Sequence, residues 1–138
     1  MTEQKMKEYF ESKLTVDQLI LDVKDSQQRT GKDTTTAYVD NVKEGEFEIK
    51  EEHLIKLLDD TIAYKIQPND LKTIGFKLMT SEYFYWDNKT ELGERIGSII
   101  FEFDNPEIGY ELTIENFKKW KEYLITGKYT FDRYELKN

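Results

Sequence analysis

Apolar residues recur at helical spacing in segment after segment of this chain, and that period constrains the fold more than any other feature. Leu54, Leu57, Leu58 and Ile62 fall at i, i+3, i+4 and i+8. Such spacing puts them on one face of a helix. Glu51 and Glu52 precede them, where a helix carries partial positive charge. The last helix has the fullest set of signals. Thr113 is its cap, Glu115 lies in its first turn, Leu112 and Phe117 can staple it, and Gly127 ends it. Ile114, Phe117, Trp120 and Leu124 form its apolar face.

Earlier segments follow the same rule. Met6, Phe10 and Leu14 suggest a short amphipathic helix. Thr15 and Gln18 have the spacing of a capping box, with Val16, Leu19, Ile20 and Val23 on the face that follows. That helix is expected to end near Arg29, ahead of Gly31. Pro68 breaks the Leu54–Ile62 helix, and Asn69 or Asp70 is the expected cap of the next, which carries Leu71, Ile74 and Leu78. Gly75 weakens that helix, and Ile74, Phe76 and Leu78 also alternate as a strand would.

Residues 91–103 are ambiguous in the same way. Ile99, Phe101 and Phe103 alternate, while Leu92, Ile96, Ile99, Ile100 and Phe103 fit a helix. The helical template explains more residues, although Gly93 and Gly97 each cost a helix roughly 1 kcal/mol relative to alanine. The stretch "YFYWDNKT" before it is expected to be an aromatic turn. Only "TTTAYVDNVKEGEFEIK" departs from helical character, with Tyr38, Val39 and Val42 before a plausible turn and Phe47 and Ile49 alternating after it. The resulting expectation is a mainly α fold. It is a single-domain bundle of about six helices over residues 1–138, with a small β-hairpin or extended segments near residues 35–50.

Composition narrows the function. The chain has 138 residues, no cysteine, one histidine and only two prolines. Absence of cysteine removes disulfides, thiolate metal sites and cysteine nucleophiles. Nine Tyr, eight Phe and two Trp supply enough apolar surface to oppose disorder. The longest apolar runs are a few residues, too short to span a membrane, and the charged N-terminus lacks the apolar stretch of a signal peptide. A soluble, cytoplasmic protein is expected. The net charge of −8 opposes nucleic-acid binding and favours a basic protein partner.

That charge is uneven. Residues 81–107 hold seven acids and two bases, a net −5, whereas residues 108–138 carry +1. The acidity coincides with four consecutive aromatics, Tyr83 to Trp86. Aromatics make stiff interface anchors, and acids around them steer a basic partner. The candidate partner-binding residues are therefore Tyr83, Tyr85, Trp86, Asp87, Glu91, Glu94, Glu102 and Asp104. The bland alternative is that some aromatics face the core and the acids are a solvated surface.

Catalytic patterns are missing. His53 has no triad or metal-pair spacing around it and is expected to be an ordinary residue at a helix start. "RTGKDTTT" lacks the first glycine of a phosphate loop and has Asp33 where Ser or Thr is needed. "DNKTE" lacks the alternating ligands and central glycine of a calcium loop. No enzyme, cofactor or metal site is expected.

Three segments, "EEHLIKLLDD", "SEYFYWD" and "DNPEIGYELTIENFKKWKEYL", together resemble small acidic immunity proteins of bacterial toxin–immunity systems, over about residues 51–126. The resemblance implies a non-enzymatic inhibitor that covers a toxin's active surface, and it carries no binding residues onto this chain. A nuclease toxin is the natural partner it implies, because a nuclease surface is basic. The alternative from a different class is a structural or regulatory subunit, such as a homodimer, with no toxin partner.

Overall fold

The computed structural model describes residues 3–30, 45–106, 110–129 and 131. Among the described residues six helices and two short strands follow in the order α1 (Glu3–Phe10), α2 (Val16–Thr30), β1 (Phe47–Glu48), α3 (Glu51–Ile62), α4 (Pro68–Thr80), β2 (Phe84–Tyr85), α5 (Glu91–Asp104) and α6 (Ile114–Thr126). The fold is the mainly α bundle that the apolar period requires.

The caps do what their chemistry predicts in most places. The Thr15 amide and the Gln18 side chain bond at 3.0 Å, and the Gln18 amide returns to Thr15 Oγ1 at 3.2 Å. Thr113 Oγ1 accepts from the Asn116 amide at 3.2 Å, opening α6. One expectation shifts. Helix α4 begins at Pro68 with Gln67 as its N-cap, so neither Asn69 nor Asp70 is the cap. Proline suits the first helical position, where its missing N–H is no loss. Leu14 lies past the end of α1, yet it still packs on the core.

The faces meet in one core. Leu54, Leu57 and Leu58 of α3, Ile74 and Leu78 of α4, Ile96, Ile99, Ile100 and Phe103 of α5 and Trp120 and Leu124 of α6 are all buried. Burying each such side chain is worth about 1.5–3 kcal/mol. The Phe103 and Trp120 rings meet edge to face at 5.7 Å between centroids, joining α5 to α6.

Helices α4 and α5 make the most extensive contact of any pair. Gly75, which weakens α4 by propensity, is what admits that contact. A Cβ there would lie 2.8 Å from Phe103 Cβ and 3.2 Å from the Asp104 amide nitrogen. Gly93 and Gly97, one turn apart on α5, serve the segment that leads into the helix. A Cβ on Gly93 would stand 1.6 Å from the Asp87 carbonyl oxygen, and one on Gly97 would stand 2.6 Å from the Trp86 indole nitrogen.

The strands pair in parallel, Phe47 opposite Phe84 and Glu48 opposite Tyr85. The Phe47 amide donates to the Tyr83 carbonyl and the Ile49 amide to the Tyr85 carbonyl, both at 2.8 Å. The described partner of the 47–48 segment is thus the aromatic stretch, part of which is strand rather than turn. The other half of the expected hairpin, around Tyr38 to Val42, lies outside the described residues. Ser81 sets the start of β2. Its hydroxyl accepts from the Tyr83 amide at 3.0 Å and the Phe84 amide at 3.3 Å, and donates to the buried Glu3 carboxylate.

Replacing Gly93 with alanine is expected to destabilise the fold by roughly 1–3 kcal/mol, because overpacking against backbone outweighs the gain in helix propensity. Urea unfolding checks it, with Ser98→Ala on the exposed side of α5 as the control expected to change stability little.

Candidate functional site

The fold sorts the eight candidate residues into three environments. Tyr83 is buried, stacked at 6.5 Å on the Phe47 ring and edge-on at 5.1 Å to Phe84. It supports the surface from beneath and has little area to offer a partner. Strand alternation turns Phe84 inward and Tyr85 outward, so Tyr85 is 42% exposed. Trp86 is half-buried, its indole lodged over the notch at Gly97.

Asp87 is exposed and opens the turn into α5. Its carboxylate accepts from the Lys89 amide at 3.0 Å, and its carbonyl accepts from the Thr90 hydroxyl at 3.1 Å. Thr90 then caps α5 by accepting from the Gly93 amide at 2.9 Å. Glu91 and Glu94 are exposed in the first turn of the helix, and Glu91 pairs with Arg95 at 3.2 Å.

Glu102 and Asp104 lie at the far end of α5. Glu102 is about 16 Å along the helix axis from Glu91, at 1.5 Å per residue. The eight residues therefore do not form one patch. Glu102 also has a task in the fold. The buried Trp120 indole donates to its Oε2 at 2.9 Å, and the Tyr129 hydroxyl lies 3.5 Å from Oε1. Burial raises its pKa above the usual carboxylate value, partly opposed by those two donors. Asp104 is half-buried and is engaged in an interaction of its own.

The parallel pairing brings in residues that the charge count over 81–107 missed. Glu48 stands beside Tyr85 in register, and the chain passes directly into the first turn of α3 at Glu51 and Glu52. An open cleft of about 440 Å³ separates this turn from the start of α5. Glu48, Lys50, Glu51 and Glu52 line one side, Asp87 and Thr90 the other, and Ile49, Leu92 and Ile96 its apolar interior. Four acidic residues and one lysine thus line a cleft with an apolar interior, and Tyr85 stands beside Glu48. The signal was present in the acid-dense run "EGEFEIKEE", but nothing local shows that it lies against residues 85–92.

His53 occupies the third position of α3, buried against the rings of Phe10 at 5.2 Å and Phe47 at 5.1 Å. Its Nδ1 accepts from the Lys50 amide at 2.9 Å, the task that Glu or Gln performs in a capping box. Among the described residues no group of three or more acidic, histidine or cysteine side chains could hold a metal ion. No described helix is long and apolar enough to cross a membrane. No family model, curated protein or solved structure matches the chain.

The contrast between Glu102 and the cleft acids can be measured. Glu102→Gln keeps an acceptor for the Trp120 indole, whereas Glu102→Ala leaves that buried N–H unpaired at a cost of about 1–3 kcal/mol. The folded-state pKa of Glu102 is raised, so its contribution to stability is present below the ordinary value of 4.5 and is lost as pH rises through the folded value. Glu102→Gln is expected to abolish that pH slope. Unfolding curves between acid and neutral pH check both expectations.

Proposed function

We propose that this protein is a non-enzymatic binding protein that neutralises a basic protein partner through the acidic cleft and the exposed Tyr85 beside it. The observation that carries this reading is the gathering of Glu48, Glu51, Glu52 and Asp87, from separate parts of the chain, around one apolar-lined cleft. Like charges held together raise the local potential and speed encounter with a cation-rich surface. Tyr85 adds stiff contact area at little entropic cost. Glu91 and Glu94 extend the field along the exposed side of α5.

The resemblance to immunity proteins gives the partner its class, a toxin with a basic surface. A nuclease fits best, since it must attract polyanions and would be blocked by an anionic surface laid across its substrate path. The core site in this proposal is Tyr85, Asp87, Glu91 and Glu94 with Glu48, Glu51 and Glu52. Tyr83 and Trp86 hold the surface in shape, and Glu102 and Asp104 stand apart from it.

Tagged protein purified from its native host, followed by mass spectrometry of what co-elutes, identifies the partner. Stopped-flow association then tests the surface. Glu51→Lys with Glu52→Lys, and separately Asp87→Lys, are expected to slow association roughly 10-fold or more at low salt, with the difference shrinking as salt rises. Glu102→Gln is expected to leave the rate unchanged. Association insensitive to the cleft reversals would overturn the proposal.

A further inference from the structure

We propose that His53 is a proton-operated latch on the wall of the acidic cleft: as neutral imidazole it holds Lys50, Glu51 and Glu52 in place, and a proton taken up at Nδ1 releases them. The consequence for a partner rests on the binding reading above. The latch itself is a property of the free chain.

The geometry fixes the tautomer. Nδ1 accepts the Lys50 N–H at 2.9 Å, so it carries no proton and the ring hydrogen is on Nε2. Nε2 faces Glu52 Oε1 at 3.8 Å. A proton added at Nδ1 would set two N–H donors against each other at a distance suited only to a donor and an acceptor. One of them must give way. The ring packs against Phe10 of α1 and Phe47 of β1, which stack on each other at 6.0 Å, and His53 is only 9% exposed. The Lys50 amide lies at the junction of β1 and α3, so it is the freer of the two to move.

The surrounding charges do not cancel this preference. Glu52 on α3 and Glu11, after α1, favour the imidazolium, whereas Lys50 and Lys56 oppose it. Burial is the larger influence and holds the imidazole below its ordinary value of 6.5. The positive end of α3 opposes the imidazolium further. Lys50, Glu51 and Glu52 are all cleft-lining residues. Loss of the bond therefore loosens the side of the cleft that carries most of its acids.

His53 is the sole histidine, so its ring proton resonances can be followed without ambiguity in the whole protein. The experiment is an NMR titration of the free chain from about pH 8 to about pH 4.5, spanning the ordinary histidine range. It follows the His53 ring and the Lys50 amide together. The expected result is one midpoint for both, below 6.5, with the Lys50 amide proton moving upfield in acid as its hydrogen bond is lost.

In His53→Gln a non-titrating side chain can take the capping bond, so the Lys50 amide is expected to stay downfield across the range. Urea midpoints give a second measure. A depressed folded-state value means that the stability is complete above pH 6.5 and is lost as pH falls through that value. His53→Gln is expected to lose that dependence. A Lys50 amide that ignores the His53 midpoint, or a His53→Gln protein with the wild-type pH dependence, would overturn the latch. Either outcome is read without a partner, so it leaves the binding proposal standing. Likewise, failure of the cleft reversals to slow association leaves the latch standing.

Discussion

The close approach of backbone to α5 is the constraint on which most of this structure depends. At Gly93 and Gly97 the helix surface is flat enough for the Asp87 carbonyl and the Trp86 indole to rest on it. That contact fixes where the 81–90 segment runs. Its path places β2 against β1, and the β1 pairing then delivers α3 with its acidic first turn to the edge of the cleft. A side chain at either glycine would lift the segment and disturb everything downstream. The helix gives up roughly 1 kcal/mol at each glycine in return for this packing.

Several carboxylates in this protein are bound into the fold by contacts between distant elements. Glu3 is buried, takes the Ser81 hydroxyl and lies 3.9 Å from the Lys77 ammonium, so it ties the start of α1 to the end of α4. Asp60 accepts from the buried Tyr9 hydroxyl at 2.5 Å, and burial pushes that phenol's pKa up. Asp70 is buried with the Lys24 ammonium at 3.3 Å. Glu102 holds the indole of Trp120. These acids are spent on the fold, since a buried polar group left unpaired is costly. The carboxylates of Glu48, Glu51, Glu52, Asp87, Glu91 and Glu94 are on or near the surface, where charge acts on the outside world.

Much of the fold was legible because helices announce themselves locally. The Thr15–Gln18 box, the Thr113 cap and the apolar faces of α3, α5 and α6 each depend on neighbours within a few residues. The site was legible only in part, because it depends on distance along the chain. Residues 47–48 and 84–85 are separated by more than thirty positions, and no turn chemistry announces a parallel pairing. Strand alternation alone would put Tyr83 and Tyr85 on the same side, yet Tyr83 lies before β2 and is buried by its ring contacts while Tyr85 is exposed. Glu102 looks like its acidic neighbours until Trp120 is seen against it. The three glycines counted against helices that do form. Propensity counts what a missing side chain costs the helix, and only packing reveals what it admits.

His53 connects the two halves of this picture. A glutamate at the third position of α3 would have closed the capping box just as well, and would have added one more charge to an acidic surface. An imidazole closes it without charge at neutral pH and packs against two phenyl rings. The choice has a cost that glutamate would not carry, because the acceptor that holds Lys50 is also a base, one that burial holds below its ordinary value of 6.5. On the proposed latch, the helix start that builds one wall of the cleft keeps this capping bond only while that base is free. An acidic surface also concentrates protons, so the proposed latch sits where the surrounding charge raises the local proton concentration. If the proposed latch and the proposed binding reading both hold, a fall in local pH that protonates His53 loosens the wall that a basic partner would meet.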